Sequence, residues 1–136
     1  EPKAREAGKV AVDAAALARG LQAEGKIALY GVFFDSGKSE LKPESKPQLD
    51  EMAKLLQANV AMRVFVVGHT DNQGALDANL ALSRARAQAV VDALAKTYKV
   101  DAKRLAAAGV ANYAPLANNA NEAGRARNRR VELVLQ

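Results

Sequence analysis

An α/β (α+β) sandwich, with a mixed four-stranded sheet packed against two main helices, is the architecture predicted for this 136-residue chain. Three observations predict it. Val64-Phe65-Val66-Val67 is an apolar run of strand length that stops at Gly68 in a polar turn. Amphipathic stretches on either side of that run repeat apolar residues at helical spacing. The chain closes on Arg130-Val131-Glu132-Leu133-Val134-Leu135, which alternates as a strand does. Together they give the order β-α-β-α-β-β.

Residues 1–26 are rich in alanine and mixed charge, and read as an N-terminal segment outside the domain of residues 27–136: a short helix, or a linker from an upstream region. Asp13 is placed to cap a helix running to about Glu24, with Leu17 and Leu21 on its apolar side and Gly25 as its stop. Ile27 to Phe34 reads as a buried strand ending in the turn Asp35-Ser36-Gly37-Lys38. From about Glu44 to Ala58, Leu49, Met52, Ala53, Leu55 and Leu56 recur as one helical face, with Pro43 and Pro47 near the start, where proline is tolerated. Met62 to Gly68 is the second strand. Its lack of a polar face predicts a central position covered on both sides. A long helix follows from about Leu76 to Tyr98, then a short third strand over Leu105 to Val110. The last strand turns Val131, Leu133 and Leu135 inward, and its polar alternation places it nearer an edge. Between these two strands, the segment from Asn112 to Asn121 reads as a loop, and no internal repeat is present.

Composition narrows the function classes. Hydrophobic content of 49% and charged content of 26% are those of a globular domain with a substantial core. No apolar run approaches the roughly 20 residues of a membrane span. Glu1-Pro2-Lys3-Ala4-Arg5 reads as a mature or trimmed end. Cysteine is absent, which removes disulfides and thiolate chemistry without fixing the compartment. The net charge is +5, and the excess lies in the second half, densest at Arg125, Arg127, Arg129 and Arg130. No aromatic platform stands beside these arginines for base stacking, so nucleic acid is not the expected partner. His69 is the only histidine, too few for a metal or a nucleophile system, and reads as structural with Thr70 and the turn as its hydrogen-bond partners. Neither a Gly-x-Ser-x-Gly elbow nor a phosphate loop occurs. No enzyme, cofactor or metal is therefore expected.

The helix of residues 76–97 carries the anomaly. Projected at about 100° per residue, it gathers Leu76, Leu82, Val90, Ala93 and Leu94 on one arc, with Arg84, Gln88 and Asp92 opposite. Asn79 and Arg86 fall inside the apolar arc, at the end nearest Asp71. A guanidinium on a core-facing stripe needs a partner, because desolvation costs several kcal/mol. Two readings follow. In one, Asp71 and Arg86 form an internal salt bridge that staples turn to helix, and the domain is a structural or protein–protein module. In the other, they are the two poles of a receptor for a small zwitterion, with the carboxylate for its ammonium and the guanidinium for its carboxylate. Ligands gather at the carboxyl ends of strands in open α/β sheets, which favours the second.

Gly68-His69-Thr70-Asp71, with Asn79, Leu82-Ser83 and Arg86-Ala87, resembles the signature of the OmpA-like peptidoglycan-binding domain. Phe34-Asp35 precedes the signature in the expected order, and Gly124-Arg125 with Asn128-Arg129-Arg130-Val131 follows it. The resemblance runs from Val32 to Val131, about three quarters of the chain. It implies non-covalent binding of peptidoglycan through the diaminopimelate of the stem peptide, in the periplasm, as part of an outer-membrane or other envelope protein. By this resemblance Asp71 takes the ammonium and Arg86 the carboxylate. Asn79, Thr70, Asn72 and Leu82 border the same ligand. Phe34 and Asp35 match pocket positions and Arg129 matches one near the mouth; these three read equally well as structural. One departure stands out, since Gly37 occupies a position where many members carry a polar side chain. The implied partners are peptidoglycan and an outer-membrane anchor or other envelope proteins.

Overall fold

The structure is a computed structural model, and it describes residues 11–136. The first part of the N-terminal segment, residues 1–10, lies outside them. Helix α1 spans Ala14–Glu24. The Asp13 carboxylate caps it, accepting the Ala16 N–H at 2.8 Å, and Gly25 closes it by donating to the Leu21 carbonyl. Leu17 and Leu21 are fully buried in the core that the sheet and the other long helices share, so this helix packs as part of the domain.

Strand β1 covers Lys26–Leu29, four residues rather than the eight expected for Ile27 to Phe34. The chain leaves the sheet because its backbone finds other partners. The Phe33 N–H donates to Ser45 Oγ at 2.8 Å, and the Phe33 carbonyl accepts the Lys42 N–H at 2.9 Å. Residues 30–38 thereby become a wall beside the sheet. A 3₁₀ turn over Pro43–Ser45 leads into α2, Lys46–Ala58. Leu49, Met52, Ala53, Leu55 and Leu56 are all buried, as the periodicity predicts.

Strand β2 runs Val64–His69, helix α3 Leu76–Lys96 and strand β3 Leu105–Gly109. A short helix not anticipated from the sequence, α4, covers Glu122–Asn128 before strand β4, Arg130–Leu135. The Asn121 side chain caps α4 by accepting the Gly124 N–H at 2.8 Å, and an Asn at this position is the signal that could have revealed the helix.

The sheet order is β1-β4-β2-β3. Strand β4 is antiparallel to both β1 and β2, whereas β2 and β3 are parallel. The sheet is mixed and four-stranded, as predicted, but β4 is interior rather than near an edge. Its alternation has another cause. Val131 and Leu133 face the helices, while Arg130 and Glu132 face the opposite side and neutralise each other at 2.8 Å. Strand β2 also differs from expectation. Val64 and Val66 are buried under the helices, but Phe65 is 39% exposed on a face that none of the described helices covers. The core is therefore one layer thick, between the sheet and α1, α2 and α3.

Two glycines set how closely α3 lies on that sheet. A Cβ on Gly68 would lie 2.1 Å from the Ser83 carbonyl oxygen, and one on Gly109 would lie 2.2 Å from the Arg84 nitrogen. Backbone thus rests on backbone, a contact that only glycine permits. Ser83, Ala87, Val90 and Leu94 consequently face the sheet. Leu76, expected on the buried arc, is 41% exposed. Asn79, Leu82 and Arg86 form a neighbouring stripe that looks sideways into a cleft.

Candidate ligand-binding cleft

The cleft, about 810 Å³, opens at the carboxyl end of β2. Its walls are residues 30–37, the turn after β2, the first half of α3, and the junction of α4 with β4. Each wall is fixed by backbone hydrogen bonding. Val110 donates to the Gly68 carbonyl at 3.0 Å, and Thr70 donates to the Ala111 carbonyl at 2.9 Å. Ser83 Oγ accepts the Ala111 N–H at 3.1 Å, tying the helix to the same turn.

Asp71 is buried in that turn, with 9% of its side chain exposed. One carboxylate oxygen accepts the Gln73 N–H at 2.9 Å, and the other accepts Arg129 Nη1 at 2.7 Å. Thr70 Oγ1 donates to the Asp71 carbonyl at 2.8 Å. Asn79 Nδ2 donates to the Gln73 carbonyl at 2.8 Å, which fixes the turn against α3.

Arg86 lies on the opposite wall. Its Nε donates to the Lys38 carbonyl at 2.8 Å and its Nη2 to the Asp35 carbonyl at 3.2 Å. The guanidinium carbon stands 5.0 Å from the centre of the Phe34 ring, in cation–π range. Burial pulls its pKa below the usual arginine value. The direct Asp71–Arg86 salt bridge of the internal-staple reading does not form. Among the described residues Arg86 has no carboxylate partner, and the aspartate is taken by Arg129. The helix stripe bearing Arg86 faces the cleft rather than the core, so the guanidinium does not need an internal carboxylate for burial.

Of the residues singled out by sequence, Asp71, Arg86, Asn79, Thr70, Leu82, Phe34 and Arg129 line one cleft. Asn72 is exposed and Asp35 turns its carboxylate to Lys42 at 3.3 Å; neither lines the cleft, although the Asp35 carbonyl holds Arg86. Ser36 and Gly37 do line it. Gly37 sits at φ 71° in the turn that closes from the Lys38 N–H to the Asp35 carbonyl, where a side chain would be strained. Sequence reasoning missed Gln73, whose backbone holds both Asp71 and Asn79, and Glu122, whose carboxylate grips Arg129 Nη2 at 2.5 Å. The seven-residue spacing of Glu122 and Arg129 would have put them on one helical face, but α4 had not been foreseen.

Beneath the cleft sits a buried ionic group. Glu132 accepts Arg130 Nε at 2.8 Å and lies 3.4 Å from His69 Nε2. Its pKa falls from 4.5 to about 2, with the His69 ring as the largest cause and Arg130 adding to it. His69 therefore looks to Glu132 across the sheet, and not to Thr70 and the turn. Arg130 Nη2 also donates to the Ala114 carbonyl at 2.9 Å, fastening the loop before α4 over this group.

Fold and cleft together define a class: an open-faced α/β domain that presents an acid and a base on facing walls at the end of a central strand. The sequence profile of the OmpA family matches residues 33–129, and the chain belongs to that family. It is 44% identical over 100 residues to outer membrane protein Omp38 of Acinetobacter baumannii, covering 74% of this chain and 28% of that one. Among solved structures it is similar to the cell wall anchor of the T6SS from Pseudomonas aeruginosa, with 36% identity, a TM-score of 0.68, and coverage of 88% and 92%. The peptidoglycan-associated lipoprotein from Burkholderia pseudomallei superposes with a TM-score of 0.70 at 30% identity, covering 84% and 92%. The chain spans under half the length of the first curated relatives that it matches.

Proposed function

We propose that this domain binds cell-wall peptidoglycan non-covalently, by gripping the free end of diaminopimelate in the stem peptide. The observation that carries the reading is the pairing of an Arg86 guanidinium, which has no carboxylate partner among the described residues, with a buried Asp71 on the facing wall. An α-amino-acid end presents a carboxylate and an ammonium on one carbon, which suits two opposite charges lining one cleft. The names of two solved relatives, a cell wall anchor and a peptidoglycan-associated lipoprotein, support the same assignment. Ser36 and the Gly37 backbone would meet the ligand where other members place a polar side chain.

The role in this reading is anchorage, as the names of the cell wall anchor and the peptidoglycan-associated lipoprotein suggest. Each grip is small, so firm attachment would come from many sites on one polymer and from the attachment of the whole protein to the envelope. Such a domain works in the periplasm as part of an outer-membrane-associated or other envelope protein. No helix among the described residues is long and apolar enough to cross a membrane.

Co-sedimentation with purified sacculi tests this. The wild-type chain should pellet, free diaminopimelate should release it, and Arg86→Ala should stay in solution while still melting cooperatively, its stability lower by about 1–3 kcal/mol for the lost carbonyl hydrogen bonds. A soluble wild-type protein in the presence of sacculi would refute the assignment.

A further inference from the structure

We propose that the ammonium pole of this cleft is gated by the chain's own Arg129, with Glu122 sharing Arg129 with Asp71 and keeping it when a ligand displaces it. The inference rests on the clamp reading above and adds the order and control of binding. The two poles are not equivalent. Arg86 is held only by two carbonyls and a ring, so its charge is uncompensated by any described carboxylate. Asp71 is already neutralised: one oxygen takes a backbone N–H, the other takes Arg129 at 2.7 Å. An incoming ammonium therefore competes with an internal guanidinium, whereas an incoming carboxylate meets no such rival.

Glu122 sets the strength of that competition. Arg129 bridges the buried Asp71 and the exposed Glu122, whose side chain is 64% accessible. The Arg129 side chain is itself 39% accessible, so it can swing outward without losing its second partner. Glu122 holds both ends of the fork, so Asp71 shares Nη1 with it. Without Glu122 both Nη groups are free for Asp71, and the pole closes more firmly. A zwitterion thus binds carboxylate first, at Arg86, and then exchanges its ammonium for Arg129 on Asp71.

NMR titration with meso-diaminopimelate, and with pimelate as the probe lacking amines, tests the gate. Glu122→Gln should weaken diaminopimelate binding about two- to fivefold, the range of a partly exposed ion pair, and Arg129→Gln should tighten it by a similar factor. Neither change should move pimelate in the same direction. Arg129→Met, which keeps the length of the stem but removes the charge that competes for Asp71, carries the test if Arg129→Gln lowers the melt; it should also bind diaminopimelate more tightly than wild type. Weaker binding in Arg129→Gln or Arg129→Met would make Arg129 a direct ligand contact and overturn the gate, as would an unchanged Glu122→Gln. A wild-type protein that binds neither probe nor sacculi would instead remove the clamp reading, and the gate with it.

Discussion

Arg86 works through geometry as much as charge. Its fork spends Nε and Nη2 on two carbonyls of the 35–38 turn, which leaves Nη1 and the outer edge of the guanidinium for a ligand. Lysine has the charge but not the fork. Arg86→Lys should therefore lose most sacculus binding, at least about tenfold, with a stability loss of only about 1–2 kcal/mol from the broken carbonyl contacts. A retained pelleting fraction in Arg86→Lys would mean that charge alone suffices. Glu132 governs the acid side of stability. Its folded pKa of about 2 lies below its ordinary 4.5, so its contribution is present above pH 4.5 and is lost as pH falls through about 2. A shift of that size corresponds to on the order of 3 kcal/mol. Urea midpoints taken from pH 5 down to pH 2 should fall steeply in wild type and more gently in Glu132→Gln, which begins lower because Arg130 is left without its carboxylate. Identical slopes would show that the ionic group under the cleft contributes nothing to acid unfolding.

At the scale of elements, the decisive contact is α3 on β2 and β3. Adding a Cβ at Gly68 or Gly109 meets backbone atoms of Ser83 and Arg84, which cannot rotate aside. The helix would have to lift, carrying Arg86 away from Asp71. Gly68→Ala and Gly109→Ala should each cost about 1–3 kcal/mol, the scale of overpacking in a fitted core, and should weaken ligand binding beyond the stability loss alone. Full binding by a folded Gly68→Ala would break that link. Much of this layer was legible in the sequence: α2, α3, β3 and β4 fall close to where their apolar periodicity places them. The strand begun at Ile27 was not, because its apolar residues serve the core after the chain has left the sheet. Val32 and Phe34 pack against the core while the Phe33 backbone bonds to residues 42 and 45. Hydrophobicity marks burial, and here burial outlasts the strand. The site was half legible. Arg86 announces itself as a charge on an apolar arc and Asp71 as the acid in the turn that feeds its helix, but Arg129 as the partner of Asp71 depends on a chain reversal 58 residues away that no local pattern encodes.

For the whole molecule, the single-layer core explains why the N-terminal helix matters. With one sheet face carrying α1, α2 and α3 and the other left open at Phe65, the apolar interior has no second layer to fall back on among the described residues. Helix α1 supplies Leu17 and Leu21, both essentially inaccessible, at the β1 edge of that interior. Its start is tied to α2 as well: the Ala14 N–H donates to Glu51 at 2.9 Å, and Val12 exchanges two hydrogen bonds with the buried Gln48. Leucine-to-alanine changes in such a position cost about 2–5 kcal/mol each, against a total stability of roughly 5–15 kcal/mol for a domain. Leu17→Ala with Leu21→Ala should therefore leave the chain marginally folded, and removal of residues 1–25 should expose Leu29 and abolish a cooperative melt. The cleft lies at the opposite end of the logic, built from residues 30–37, α3 and α4 without any residue of α1. In a single Leu21→Ala variant that is still folded at low temperature, sacculus binding should accordingly match wild type while the urea midpoint falls. A truncated chain that melts like the full one would show that α1 is an appendage, and that the core is complete without it.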